Sequence, residues 1–287
     1  MSSHSPSQPY RQPAGRPPGF FAEPIAAKVP EITFLFWVIK ILTTAGGEAT
    51  SDYLALDLGS RLVAGCIEAG IFVVALVWQF RTRRYTAAAY WLLAYAIAIF
   101  GTGVADALHL FVGIPYAGTT VLWAVVLAAI FWFWYRSERT LSIHSIYTQR
   151  RETYYWAVVF ATFALGTALG DFTAASLHLG YLASGIMFTL IILIPAVAWS
   201  RFGLNPVVAF WFAYVVTRPL GASYADYFSK PHSLSGANYG DASVALITTI
   251  IVAILVGYLS VTRRDIQRPE EAEPGRLAAV SDDVVGR

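Results

Sequence analysis

Long apolar runs nearly free of charge recur along the chain, such as "TTVLWAVVLAAIFWFWY" before Arg136 and "LASGIMFTLIILIPAVAWS" before Arg201. A helix needs roughly 20 residues to cross a hydrocarbon layer of ~30 Å. Only helices and closed barrels satisfy their own backbone in lipid, and these runs do not alternate as barrel strands do. The pattern predicts an all-α membrane protein whose eight helices lie near 32–54, 60–80, 86–108, 118–135, 153–175, 182–200, 206–228 and 242–262.

The polar interruptions are periodic. Counting from Trp37, Trp91, Trp156 and Trp211, the tenth residue on is Gly47, Gly101, Gly166 or Gly221, and the fifteenth is Asp52, Asp106, Asp171 or Asp226. The tryptophans stand 54, 65 and 55 residues apart, room for two helices each. The chain therefore reads as four tandem two-helix repeats, about 31–84, 85–150, 151–204 and 205–264, in one domain spanning 31–264. The flanks, 1–30 and 265–287, are rich in Pro, Ser, Gly or charge, carry no apolar run, and are expected to be disordered tails.

Composition agrees: 56% of the 287 residues are hydrophobic and 13% charged, against about 25% charged in ordinary soluble domains, and mean hydropathy is +0.55. The net charge of +2 points to no acidic partner, and no basic patch interleaved with aromatics suggests nucleic acid. The single cysteine, Cys66, cannot form an intrachain disulfide and reads as a small residue in an apolar run. Lys and Arg concentrate in the N-terminal flank, at 81–84, at 136–151, at Arg201 and at 263–268, while Arg61 and Lys230 stand alone on the other side. That bias predicts both termini in the cytoplasm and the aspartates toward the outer face of the membrane.

At 100° per residue, offsets 0, 4, 7, 11 and 15 share one helical face. That stripe holds Glu48 and Asp52 in the first repeat and Arg218 and Asp226 in the fourth. Charge facing lipid is expensive, so the odd helices are expected inside with their stripes converging and the even helices outside. Beside the stripe, Gly47, Gly101, Gly166, Gly170 and Gly221 form a small-residue seam suited to close helix packing. Pairing of Glu48 with Arg218 is expected, as is a bend at Pro219. The repeat tryptophans, with Trp78, Trp132, Trp134 and Trp199, read as an interfacial belt, and Glu68 is expected to pair with Lys40 or a histidine.

The Trp–Gly–Asp hairpin resembles a family of bacterial membrane proteins made of four tandem copies of a two-helix repeat of unknown function. The stretches "KVPEITFLFWVIKILTTAGGEATSDY", "TALGDF" and "TRPLGASYADYFSKP" carry the resemblance, which extends over roughly 28–262. It implies eight spans and no activity. Arg218 and Glu48 depart from a uniform repeat.

Three kinds of function are weighed. The leading expectation is a cation- or proton-linked transporter or channel-like exporter of the bacterial inner membrane. Its pathway would run between the odd helices, lined by Glu48, Asp52, Asp106, Asp171, Asp226 and Arg218, because acidic rings concentrate cations. A divalent metal could bind as substrate, with His109 and Asp106 as candidate ligands; His178 and His232 lie at similar levels. No resident cofactor is expected, and partners beyond lipid, a small cation and protons are not specified. The alternative is a non-transporting scaffold or sensor whose carboxylates serve packing. An enzyme is disfavoured: the chain has no HExxH, GxSxG or P-loop, and "LGD" at 169–171 resembles intramembrane aspartyl proteases only in fragment.

Overall fold

The computed structural model describes residues 24, 26–57 and 59–267. Among them are eight α-helices and no strand: α1 (Phe34–Asp57), α2 (Arg61–Arg81), α3 (Ala87–Leu110), α4 (Tyr116–Glu138), α5 (Gln149–Asp171), α6 (Gly180–Phe202), α7 (Pro206–Ser229) and α8 (Asp241–Thr262). A π-helical turn, Phe172–Ser176, prolongs α5. Local chemistry sets several starts: Ser60 accepts from the Val63 amide, Thr148 from that of Arg151, and Asn205 from those of Val207 and Val208, with Pro206 in the first helical turn.

Six helices are long and apolar enough to cross a membrane. The other two, α1 and α7, have 24 residues each and carry Lys40, Glu48, Asp52, Arg218 and Asp226. Much of the surface is apolar, with Leu62, Val74, Leu190, Leu246 and Ile254 each more than 60% exposed. This is the exterior of a helical membrane protein rather than of a water-soluble one.

The helices pack in a cycle. α1 contacts α3, α3 contacts α5, α5 contacts α7, and α7 returns to α1. α2 packs chiefly on α3, α4 on α5, α6 on α7, and α8 on α1. Each even helix thus leaves its own hairpin to cover the first helix of the next repeat. The short connections set where an even helix begins, not which neighbour it covers. Burial follows: 67% of the apolar window of α3 and 72% of that of α5 is buried, against 17–22% for α2, α4, α6 and α8.

The repeat glycines set the ring spacing. A methyl group on Gly47 would lie 2.9 Å from the Ala98 carbonyl carbon, on Gly101 3.1 Å from Phe163 Cβ, on Gly166 2.9 Å from Pro219 Cδ beside Arg218, and on Gly221 2.9 Å from the Ile41 oxygen beside Thr44. Ala98, Phe163, Arg218 and Thr44 all stand seven residues after their repeat tryptophan. Each glycine therefore receives the same position of the next ring helix, and the fourth receives it from the first. Gly170 is different: its nearest neighbours would be 4.0 Å away, ordinary contact.

The tryptophan belt is corrected. Trp91, Trp156 and Trp211 are 1%, 4% and 6% exposed, and Trp134 is fully buried. They pack with the aromatic that precedes each repeat tryptophan, namely Phe36, Tyr90, Tyr155 and Phe210. The Tyr90 and Tyr155 hydroxyls bond each other. Eight neighbouring rings stack on one another in tilted and edge-to-face pairs, so they fill this end of the ring. Trp78, Trp132 and Trp199 remain on the surface.

The expected tail boundaries also shift. Residues 1–23 and 268–287, most of both tails, lie outside the described residues. The chain just inside them is packed: Lys28, Val29, Pro30 and Asp265 are buried. The Tyr85 amide donates to the Ala27 carbonyl (3.1 Å), the Lys28 amide to that of Ile146 (3.1 Å) and the Glu31 amide to that of Asp265 (2.8 Å). Lys28 Nζ donates to Glu152 (2.7 Å) and to the Gln79 carbonyl (2.9 Å), and Gln79 Nε2 to the other Glu152 oxygen (2.9 Å). Burial pushes the Lys28 ammonium below its ordinary range, against the pull of Glu152. Glu152→Gln, which keeps the shape and removes the charge, is expected to cost about 2 kcal/mol, read as a lowered thermal midpoint in detergent.

Candidate functional site

The odd helices present equivalent positions to the axis of the ring, and one side chain ties them. Arg218, fully buried, reaches all three other ring helices. Its Nη1 donates to the Thr44 carbonyl on α1 at 2.8 Å, its Nη2 to Thr167 Oγ1 on α5 at 2.7 Å, and Nη2 also to Glu48 on α1 and Thr102 on α3. Glu48, Thr102 and Thr167 share the register eleven residues after the tryptophan. The fourth copy is Ala222, 2% exposed. Thr102 also donates to Glu48 at 3.0 Å. The guanidinium fork suits several acceptors at fixed angles. Pro219 leaves α7 helical through this region, and the expected Glu48–Arg218 pair is present.

Four residues further along, toward the aspartate end, the repeat carboxylates gather. One oxygen from each of Glu48, Asp52 and Asp226 lies within 4.8 Å of the others. Asp106 lies within electrostatic reach of Asp171, Asp52 and Glu48, and Asp171 of Glu48 and Asp52. The four aspartates stand at the same register of four neighbouring ring helices, but the short-range group holds two of them. Lys230, just past α7, donates to Asp52 at 2.5 Å and Asp241 at 3.2 Å. Burial, which would lower the Lys230 ammonium, is outweighed by Asp52, Asp226 and Asp241, so it stays charged. Asp52, Asp106 and Asp171 are partly exposed, whereas the Arg218 layer is sealed. Along the ring, burial is therefore partial at these three aspartates and complete at Arg218.

Two basic groups, Arg218 and Lys230, cannot neutralise the seven carboxyl groups of Glu48, Asp52, Glu68, Asp106, Asp171, Asp226 and Asp241. Like charges this close do not all ionise without protons or cations. The carboxylate oxygens are hard donors of the kind that hold Mg²⁺, Ca²⁺ or Mn²⁺. In this conformation Glu48 and Asp52 are engaged by the protein's own cations.

Two of the candidate histidines each meet a backbone carbonyl through one ring nitrogen. His109 Nδ1 lies 2.9 Å from the Ile114 carbonyl, its ring is stacked on Tyr116, and it is not among the three residues that approach one another. His232 Nδ1 likewise meets the Gly236 carbonyl at 2.8 Å. These rings brace turns because they sit where helices end with unpaired carbonyls. Glu68 pairs with neither Lys40 nor a histidine: it accepts from Ser51 at 2.7 Å, in space that Gly103 leaves free. Two apolar clefts, of about 600 Å³ beside Trp37 and Trp199 and about 520 Å³ beside Phe72 and Phe160, lie off the axis and are lined by none of these carboxylates.

Sequence reasoning missed the aromatic layer, although an aromatic precedes every repeat tryptophan. It missed the burial of Lys28 as well, for which the local sequence holds no signal. A family model described as a repeat of unknown function (DUF347) matches residues 35–85, 89–140, 154–204 and 209–265. No curated protein and no solved structure matches the chain.

Proposed function

Since the chain belongs to the family built on this repeat of unknown function, which brings no activity with it, we propose from the site alone that it is a membrane transport protein moving protons or a small cation along the axis of the odd helices. In this reading all eight helices cross the bacterial cytoplasmic membrane, the odd ones inside and the even ones outside. Both termini lie in the cytoplasm by the distribution of Lys and Arg. The aspartate end is then a vestibule open to the outside, and no catalytic step is involved.

One observation carries the proposal: each repeat sends a carboxylate to the same end of the ring axis, where seven carboxyl groups meet two basic ones. A surplus of acid in a half-buried site calls for mobile positive charge. Passage requires release of Arg218 from Glu48, Thr102 and Thr167, which makes that node the gate. A divalent ion of hard character would find its oxygens in Glu48, Asp52 and Asp226.

Reconstitution into proteoliposomes tests this. A pH gradient and a panel of mono- and divalent cations are expected to give protein-dependent movement, lost when Asp52, Asp106, Asp171 and Asp226 are all changed to Asn. No movement under any gradient, or movement unchanged in the fourfold variant, sinks the proposal. The filled aromatic layer favours the competing reading, a scaffold or sensor. That reading expects no flux and a phenotype lost on deletion of 1–23 and 268–287, which leaves the packed Lys28 and Asp265 segments in place.

A further inference from the structure

The carboxylates account for Arg218 and Lys230 but not for a third basic residue on the axis. Lys40, one turn before Thr44 on α1, is fully buried, and its Nζ has no hydrogen-bond partner among the described residues. It lies 3.9 Å from the ring centre of Phe163 and 4.2 Å from that of Tyr214. The Arg218 guanidinium lies 5.4 Å from the same Phe163 ring. Two basic groups thus lie against one aromatic ring, and only one of them has acceptors.

The surroundings of Lys40 offer no counter-charge. α7 presents Arg218 and Tyr214, α5 presents Phe163, and α3 has Ala94 at the same register. The Tyr90 and Tyr155 hydroxyls lie one layer toward the tryptophan end and bond each other. Glu68 of α2 and the Asp241 at the start of α8 are engaged by Ser51 and Lys230 at the other end. An ammonium here gains the two ring faces. It loses water without gaining an acceptor and stands against Arg218 with little screening. Charge on Lys40 and the bonded position of Arg218 are therefore mutually unfavourable.

We propose that Lys40 is the proton-binding trigger of the gate: a proton added to its Nζ places a second cation beside the Phe163 ring that Arg218 also approaches, and drives Arg218 off Glu48, Thr102 and Thr167. This rests on the reading of the Arg218 node as a gate. The proton comes from hydronium entering from the aspartate end during a transient opening; an O–H bond of H3O⁺ breaks and leaves water, an N–H bond forms on the amine lone pair, and no oxidant is involved. When the proton leaves, Arg218 returns to its three partners and the axis closes.

The test uses the full-length protein in lipid nanodiscs and needs no substrate. Ala94, 1% exposed at the register of Lys40, is changed to Cys in a Cys66→Ala background. Its labelling by a water-soluble maleimide is followed from alkaline to acidic pH. Each rate is divided by that of Ser233→Cys, an exposed position between α7 and α8, measured in the same Cys66→Ala background, to remove the thiol's own titration. The normalised rate is expected to rise as pH falls, about tenfold per unit while the amine is mostly neutral. Lys40→Met should be slow at every pH, and Lys40→Arg, charged at every pH, fast at every pH. A flat wild-type profile, a slope retained in Lys40→Met, or slow labelling in Lys40→Arg overturns the proposal. If Lys40→Met does not elute as a single folded species, Lys40→Gln takes its place. Absent flux with this labelling pattern would sink the transport reading and leave the trigger standing; flux with flat labelling would do the reverse.

Discussion

Arg218→Met is expected to lower the stability of the purified protein by about 5 kcal/mol, the upper end for breaking a buried ion pair. The size follows from what the side chain leaves behind. Glu48, 3% exposed, would keep its charge with one hydroxyl donor, Thr102. Thr167 would lose its acceptor role, and the Thr44 carbonyl its side-chain donor. Arg218→Lys is expected to recover less than half, because a single ammonium cannot reach acceptors on α1, α3 and α5 from one position. Glu48→Gln in the Arg218→Met background should restore part of the loss, since the uncompensated charge is then gone. Unfolding midpoints in one detergent across the four proteins measure this. A loss under about 1 kcal/mol for Arg218→Met would mean that the node is wet and the bonds exchange with water.

Gly166→Ala is expected to destabilise by about 3 kcal/mol, and Gly170→Ala to be neutral or slightly stabilising. Both glycines lie on the same seam of α5, four residues apart, and both substitutions raise helix propensity by up to ~1 kcal/mol. The difference is in the neighbours. The added carbon at 166 falls on the Arg218 stem and 2.9 Å from Pro219 Cδ, and Pro219 has little freedom to move. At 170 the nearest atoms are 4.0 Å away. Gly166→Ala must also lift Arg218 from Glu48, so its effect should shrink in the Arg218→Met background, whereas an independent packing clash would add in full. The same thermal series reads this. Equal effects at 166 and 170 would show that α5 and α7 can slide apart freely.

Much of the site was legible because duplication wrote it four times. Tryptophan, glycine and aspartate recur at fixed offsets, and a helix turns that spacing into a common face. Glu48 and Arg218, the two departures from the repeat, could be paired because a lone buried charge demands a partner. The belt reading of the tryptophans failed for an instructive reason. The helix period says which side a ring faces, not whether lipid or another helix lies there. For His109 the residue type was visible, but not the turn whose Ile114 carbonyl it meets.

The sequence by itself determined the helical membrane class, the four repeats, the registers of the small and acidic positions and the partnership of Glu48 with Arg218, because these depend on spacing along one helix or on charge that cannot be left alone. Only the tertiary structure decided that each even helix covers the next repeat, that Arg218 meets three ring helices at once, that the aromatic layer fills one end, and that Lys40 lies between two rings with no acceptor. Those outcomes depend on which faces of separate helices come within a few ångströms of one another, and contact of that kind leaves no periodic trace in the chain.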